Sequence, residues 1–167
     1  DGNPGATNLW KMGGWMRGVV ALVLEIGKSL VPVFIAIVLI GQPTSSPEQI
    51  GIALVALSPI VGHAWSPFLR LKGGKALAAS LGAWVAITMG LAIPVACVLL
   101  IIMHGLQKNH AITITVCLLG FLVVFLPLLM QPYIIIFWVF NLIIVIYKHK
   151  SEYAHGIIFR TWIRRIV

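Results

Sequence analysis

Between Gly18 and Tyr147 the chain is so nearly continuously apolar that only one long polar interruption, Gly62 to Lys75, breaks it. Few folds are open to such a chain. In lipid every backbone N–H and C=O must be satisfied within the protein, which leaves helices and closed barrels. Runs close to the roughly 20 residues that cross a hydrocarbon core select helices. Soluble domains carry about 25% charged residues. Here 10% are charged, 60% are hydrophobic and the mean hydropathy is +1.03. The chain therefore reads as an integral membrane protein. Its formal net charge of +8 sits in short loops between apolar runs. That placement fits anionic lipid headgroups and the positive-inside rule, and excludes a nucleic-acid partner.

The runs predict an all-α, polytopic bundle of about six helices, forming one domain over residues 1–167. Gly18–Ile40 is long enough to span. Gly41–Pro47, with two prolines and no charge, is an outside loop, and Glu48–Val61 returns the chain. Ala76 to Met103 divides best into two short passes, about Ala76–Met89 and Leu91–Met103, because Gly90 offers a break and Pro94 suits a helix first turn. That division also keeps both basic clusters on one side. His104–His110 then lies inside, Ala111–Met130 goes out, Gln131-Pro132 turns, and Tyr133–Tyr147 comes back. From Tyr153 to Val167 apolar residues recur at three- and four-residue steps with Arg160 and Arg164 opposite, which predicts a basic amphipathic helix on the inner surface. The start at Asp1, in the middle of a polar, glycine-rich loop, predicts one further helix before it, making seven. Cys97 and Cys117 lie in apolar runs and read as small buried hydrophobes, not as a disulfide or metal site.

Three polar stretches, distant in sequence, meet on the inner face in this topology. The Gly62–Lys75 stretch carries Arg70, Lys72 and Lys75, three of the chain's twelve basic residues, and ends in Gly73-Gly74-Lys75 immediately before a helix-forming run. A helix start offers unpaired N–H groups and the positive end of the peptide dipoles, glycines permit close approach, and a lysine adds a full charge; together they suit a phosphate. The stretch is not a Walker loop, since Leu69 and Ala76 stand where Gly and Ser/Thr are required. His63 and Ser66 lie in the same stretch. The second is the Gly/Asn-rich start, and the third is Lys148–Glu152 with His149. The combination predicts a cationic pocket for an anion. Within the first span Glu25 and Lys28 share a helical face, either as a neutralised pair or with Lys28 lining the site.

These motifs resemble the PlsY family of membrane acyl-phosphate:glycerol-3-phosphate acyltransferases. Gly2-Asn3-Pro4-Gly5-Ala6-Thr7-Asn8 is similar to its first motif, Gly62-His63 with Pro67-Phe68 and Lys72-Gly73-Gly74-Lys75 to its second, and His149-Lys150 to the start of its third. The resemblance spans nearly the whole chain and implies seven helices. It implies transfer of a fatty acyl group from acyl phosphate to the first hydroxyl of glycerol 3-phosphate, giving lysophosphatidate and phosphate in phospholipid synthesis. No metal or cofactor is needed, because acyl phosphate is already activated. By the same resemblance His63, Asn3 and His149 are candidate catalytic residues. Gly2, Gly5, Thr7, Asn8, Lys11, Arg70, Lys72, Gly73, Gly74 and Lys75 are candidate phosphate-binding residues, and Lys28 and Ser66 candidate lining residues. The implied location is the cell inner membrane, with the active face and C-terminus cytoplasmic. The chain departs from the pattern at Asp1 (Ser in the family), Lys11 (Arg), Glu25 (Asp) and Glu152 (Asn). Those departures define the alternative, a weakened relative retained as an accessory subunit among other membrane proteins. A transporter is disfavoured, since charge within the spans is confined to Glu25 and Lys28 and no paired repeat is visible.

Overall fold

The computed structural model describes residues 5–41 and 43–162. Among them are the helices α1 (Ala6–Gly13), α2 (Trp15–Ile40), α3 (Ser46–Ala64), α4 (Leu77–Ile87), α5 (Ala92–Leu106), α6 (His110–Leu129), α7 (Pro132–Lys148) and α8 (Lys150–Tyr153), with a 3-10 turn at Pro67–Leu69. Trp15–Ile40, Ser46–Leu69 and His110–Leu129 are long and apolar enough to cross a membrane. α4, α5 and α7 are shorter apolar helices. The six expected bundle helices appear as α2 to α7, and the division of 76–103 into two passes holds. Thr88 explains the turn between those passes. Its hydroxyl donates to Trp84 O at the end of α4 and accepts from Ala92 N–H at the start of α5.

The helices start and stop where local chemistry directs. Ser45 and Glu48 form a reciprocal capping box that opens α3, and Pro47 occupies its first turn. Asn109 caps α6 by accepting from the Ala111 and Ile112 amides. Gln49 joins the turns at one end of the bundle, donating to Pro43 O and Gln131 Oε1 while accepting from Tyr133 N–H.

α4 is the centre of the bundle. Its residues from Ala79 to Ile87 are almost all buried, and it packs closely on α2. Gly82 makes this crossing possible, because a Cβ there would lie 2.2 Å from the Ile26 carbonyl oxygen. Trp84, fully buried, stacks among Phe121, Phe125 and Phe137, with ring centroids 5.1, 5.9 and 5.1 Å away.

Two expectations need correction. The stretch after Tyr153 is not an amphipathic helix through residue 162. α8 ends at Tyr153, Gly156 takes a positive φ of 60°, and an extended strap follows. The strap bonds to the α5–α6 connection: Lys108 N–H donates to Ile158 O (2.8 Å), Arg160 N–H to Leu106 O (3.0 Å), Arg160 Nε to His104 O (2.9 Å) and Trp162 Nε1 to Gly105 O (3.0 Å). Main-chain pairing across the chain competes successfully with local helix formation here. Arg164 and the rest of 163–167 lie outside the described residues. Cys97 is exposed on the bundle surface, whereas Cys117 is buried; both are free thiols.

Candidate active site

The bundle encloses a cavity of about 630 Å³ whose walls come from nearly every helix. Three helices each turn one face towards it. α4 supplies Leu77, Leu81 and Trp84, α5 supplies Ala96, Leu100 and His104, and α6 supplies His110, Ile114, Leu118 and Phe121, all at three- or four-residue spacing. On α5 and α6 a histidine stands at one end and the apolar groups follow. Gly5, Thr7, Asn8 and Lys11 of the N-terminal segment, His63, Lys75, His149 and Glu152 complete the polar end. The result is one cavity with a polar mouth and an apolar interior.

The polar mouth is built by specific contacts. Lys28 Nζ donates to His63 Nδ1 at 2.5 Å. That hydrogen bond fixes the imidazole as the tautomer protonated on Nε2, leaving a donor as its remaining nitrogen. His149 has the opposite arrangement: its Nδ1 lies 2.8 Å from Val145 O, so Nδ1–H donates and Nε2 keeps its lone pair. Burial holds back its imidazolium form and sets its pKa below the ordinary histidine value, with Lys75 and His110 acting in the same direction and Val145 O and Glu152 opposing. Lys75 Nζ contacts Glu152 Oε1 at 2.5 Å. Asn109 Nδ2 fixes the backbone around that carboxylate through Glu152 O (2.9 Å) and Gly156 O (2.8 Å). The Glu25 carboxylate accepts from the Ala6 N–H at the start of α1.

Lys75 to Ala78, which lead into α4, line the cavity, and α4 has no side-chain cap. Its first-turn amides bring a positive helix end to the mouth, whereas the Ala6 N–H of α1 is taken by Glu25. The amides of α4 matter because the formal charge of the lining side chains is nearly balanced. Lys11 and Lys75 are offset by Glu25 and Glu152, unlike the cationic pocket expected from sequence.

Not every predicted site residue reaches the cavity. His63, His149, Gly5, Thr7, Asn8, Lys11 and Lys75 line it. Lys28 stands behind His63. Gly73 and Gly74 lie against the end of α3: Gly74 N–H donates to His63 O (3.0 Å), and a Cβ on Gly73 would come 2.0 Å from the same oxygen. Lys148 reinforces that junction, donating to Ala64 O and Gly73 O over the Trp65 ring. Arg70 and Lys72 are exposed and outside the lining, as is half-buried Ser66, whose carbonyl closes the 3-10 turn. Gly2 and Asn3 lie outside the described residues.

The family model for glycerol-3-phosphate acyltransferase matches residues 1–157. The chain belongs to this family. The glycerol-3-phosphate acyltransferase 1 of Thermotoga maritima is 34% identical over 164 residues, covering 91% of this chain and 79% of that protein. The glycerol-3-phosphate acyltransferase of Neisseria meningitidis serogroup C is 33% identical over 157 residues, covering 93% and 76%. Crystal structures of PlsY, an integral membrane glycerol 3-phosphate acyltransferase, superpose with TM-scores of 0.77 for the glycerol 3-phosphate form and 0.75 for the lysophosphatidic acid form. Their identities to this chain are 24% and 25%, and they cover 91% and 90% of it and 73% and 74% of their own lengths.

Within this acyltransferase fold, the cavity also contains residues that sequence reasoning did not assign. His104 and His110 face each other at 5.1 Å across the α5–α6 connection, and both line the mouth. Their signal was weak, two histidines flanking a short polar turn. The apolar interior gave no signal, because its residues are indistinguishable in sequence from lipid-facing ones.

Proposed function

We propose that this membrane acyltransferase moves a fatty acyl group from an acyl phosphate to the first hydroxyl of glycerol 3-phosphate, releasing lysophosphatidate and inorganic phosphate. The observation that carries this reading is the two-part cavity, whose polar mouth suits phosphate and whose apolar interior suits an acyl chain. The whole chain acts as one acyltransferase unit in the cell inner membrane, with the mouth and C-terminus on the cytoplasmic side, where the basic loops belong.

In the reaction the acceptor oxygen bonds to the carbonyl carbon, the bond from that carbon to the phosphate oxygen breaks, and the hydroxyl proton leaves. His149 accepts that proton through Nε2, a role suited by its Val145 hydrogen bond and its lowered pKa. His63, held by Lys28, donates from Nε2 to the oxygen on which negative charge develops. Lys11, Lys75 and the first-turn amides of α4 offset the charges of two phosphates that would otherwise repel. Gly5, Thr7 and Asn8 belong to the phosphate-binding segment, together with Gly2 and Asn3. Gly73, Gly74 and Lys148 seat the lysine and histidine that act.

The test is release of inorganic phosphate from palmitoyl phosphate by the purified protein, dependent on glycerol 3-phosphate. Turnover that Lys75→Ala abolishes supports the reading. Failure to turn over in any lipid overturns it.

A further inference from the structure

We propose that the knuckle between α3 and α4, Ser66 to Lys72, docks into the headgroup layer of an anionic membrane. Phe68, Leu69 and Leu71 enter among the lipids, and Arg70 and Lys72 bind their phosphates.

The apolar half of the proposal comes from exposure. Phe68 is 97% exposed, Leu71 61% and Leu69 46%. They stand outside the helices α2 to α7, so the lipid around a spanning helix does not account for them. Exposed apolar residues in a group, unlike scattered ones, mark an interaction surface. The backbone holds them out. The Leu69 and Leu71 amides both donate to Ser66 O (3.1 and 2.9 Å), Arg70 N–H to Pro67 O (3.2 Å) and Lys72 N–H to Leu69 O (2.9 Å). Arg70 has a φ of 51° and Leu71 a φ of 61°, in the left-handed region where glycine is the default residue. A turn needed only to reverse the chain would carry glycine there. An arginine and a leucine at such positions add side chains that the turn itself does not use.

The charged half comes from Arg70 and Lys72, the two cations that the cavity leaves out. Among the described residues neither side chain has a hydrogen bond or an ion pair; the ion pair found there joins Lys75 to Glu152. The sequence holds no acidic residue between Glu48 and Glu152 that could serve them. Their anion therefore comes from outside the chain. A soluble phosphate would meet the cations and leave the apolar residues in water. A lipid surface offers phosphates and hydrocarbon together, matching the alternation Phe68-Leu69-Arg70-Leu71-Lys72. The neighbouring residues fit that level of the membrane. Trp65, just before the knuckle, stacks at 5.8 Å on Tyr147, with Lys148 Nζ over the first ring and Lys150 Nζ over the second. Tryptophan and tyrosine collect at the membrane–water boundary, and lysines there reach towards headgroups.

The experiment places an NBD fluorophore at position 68, as Phe68→Cys in a Cys97→Ala background, with the Cys97→Ala protein as blank. The full chain is reconstituted in vesicles of phosphatidylcholine alone or mixed with phosphatidylglycerol, each carrying a nitroxide lipid as quencher. In the anionic vesicles the emission should shift to the blue and be quenched. Arg70→Gln with Lys72→Gln should lower the ratio of inserted to free probe by about 30-fold, about fivefold for each cation. High salt should act in the same direction on the unsubstituted cations. The same probe at Thr44, at the other end of α3, should not respond to lipid charge. Water-like emission from position 68 in both vesicles, the outcome for a surface that awaits a protein partner, would overturn the proposal. Equal insertion with and without phosphatidylglycerol would overturn it as well. A second measurement needs neither label nor variant. Amide exchange of the wild-type protein in nanodiscs should slow across 68–72 when phosphatidylglycerol is present, and equal rates in the two lipids would contradict the docking. Neither readout depends on turnover, so both stand apart from the acyl-transfer reading.

Discussion

The ammonium of Lys28 donates to Nδ1 of His63 across 2.5 Å, from the middle of α2 to the last turn of α3. A charge within a membrane span thereby selects which imidazole nitrogen carries the proton. Lys28→Met keeps the length of the side chain and removes the donor. We expect kcat to fall by about 10- to 100-fold, with KM for glycerol 3-phosphate changed less than about threefold. Steady-state phosphate release measures both, and an unchanged kcat would remove His63 from the proposed chemistry.

Glu152 is ion-paired with Lys75, the lysine proposed above to meet a substrate phosphate. A phosphate reaching Lys75 must displace this carboxylate or share the lysine with it. Glu152→Gln removes the competing charge and leaves the backbone carbonyl held by Asn109 in place. KM for glycerol 3-phosphate should drop about two- to fivefold, the scale of a partly exposed ion pair. A KM that stays the same or rises would show that the pair supports binding instead of opposing it.

Acid should loosen the fold through His149. Its folded pKa lies below the unfolded value of 6.5, so the unfolded chain binds more protons as pH falls under that value. The stability contribution is therefore complete above the unfolded pKa and declines as pH drops towards the folded one. Thermal unfolding in detergent at pH 7.5 and pH 5 should show a smaller acid loss in His149→Asn, whose amide can still donate to Val145 O. Equal acid losses in the two proteins would contradict this.

The α2–α4 crossing should not tolerate a methyl group at Gly82. The Ile26 carbonyl that a Cβ would meet at 2.2 Å belongs to helix backbone and cannot swing aside. Gly82→Ala should cost about 1–3 kcal/mol, read as a lower unfolding temperature. Gly51→Ala, where a Cβ meets nothing within 4 Å, is the control.

The course of the helices was legible because lipid permits so little else. Apolar runs had to become helices, and Gly90 with Pro94 located the break between α4 and α5. Which side chains meet was legible only in part. The motifs carried Lys11, His63, Lys75 and His149 to one cavity, yet nothing local announced that Glu152 would hold Lys75 or that Lys28 would reach His63. Those contacts join residues 77 and 35 positions apart. The strap escapes a sequence reading for a related reason. Tyr153, Ile157, Ile158 and Trp162 have helical spacing, but the positive φ at Gly156 and the partner at 106–108 decide their conformation. Gly73 suggests a ligand because close approach is what glycine permits; the approaching group is the end of α3.

The strap between Gly156 and Trp162 is bonded to His104, Gly105, Leu106 and Lys108, so the tail and the histidine rim of the cavity form one mechanical unit. Tension applied to the strap reaches the entrance directly. A reporter inserted within the strap, after Phe159, will therefore disturb substrate entry more than one inserted at the turn around Gln131, and cleavage within the strap will unfasten the rim while leaving the helices α2 to α7 intact.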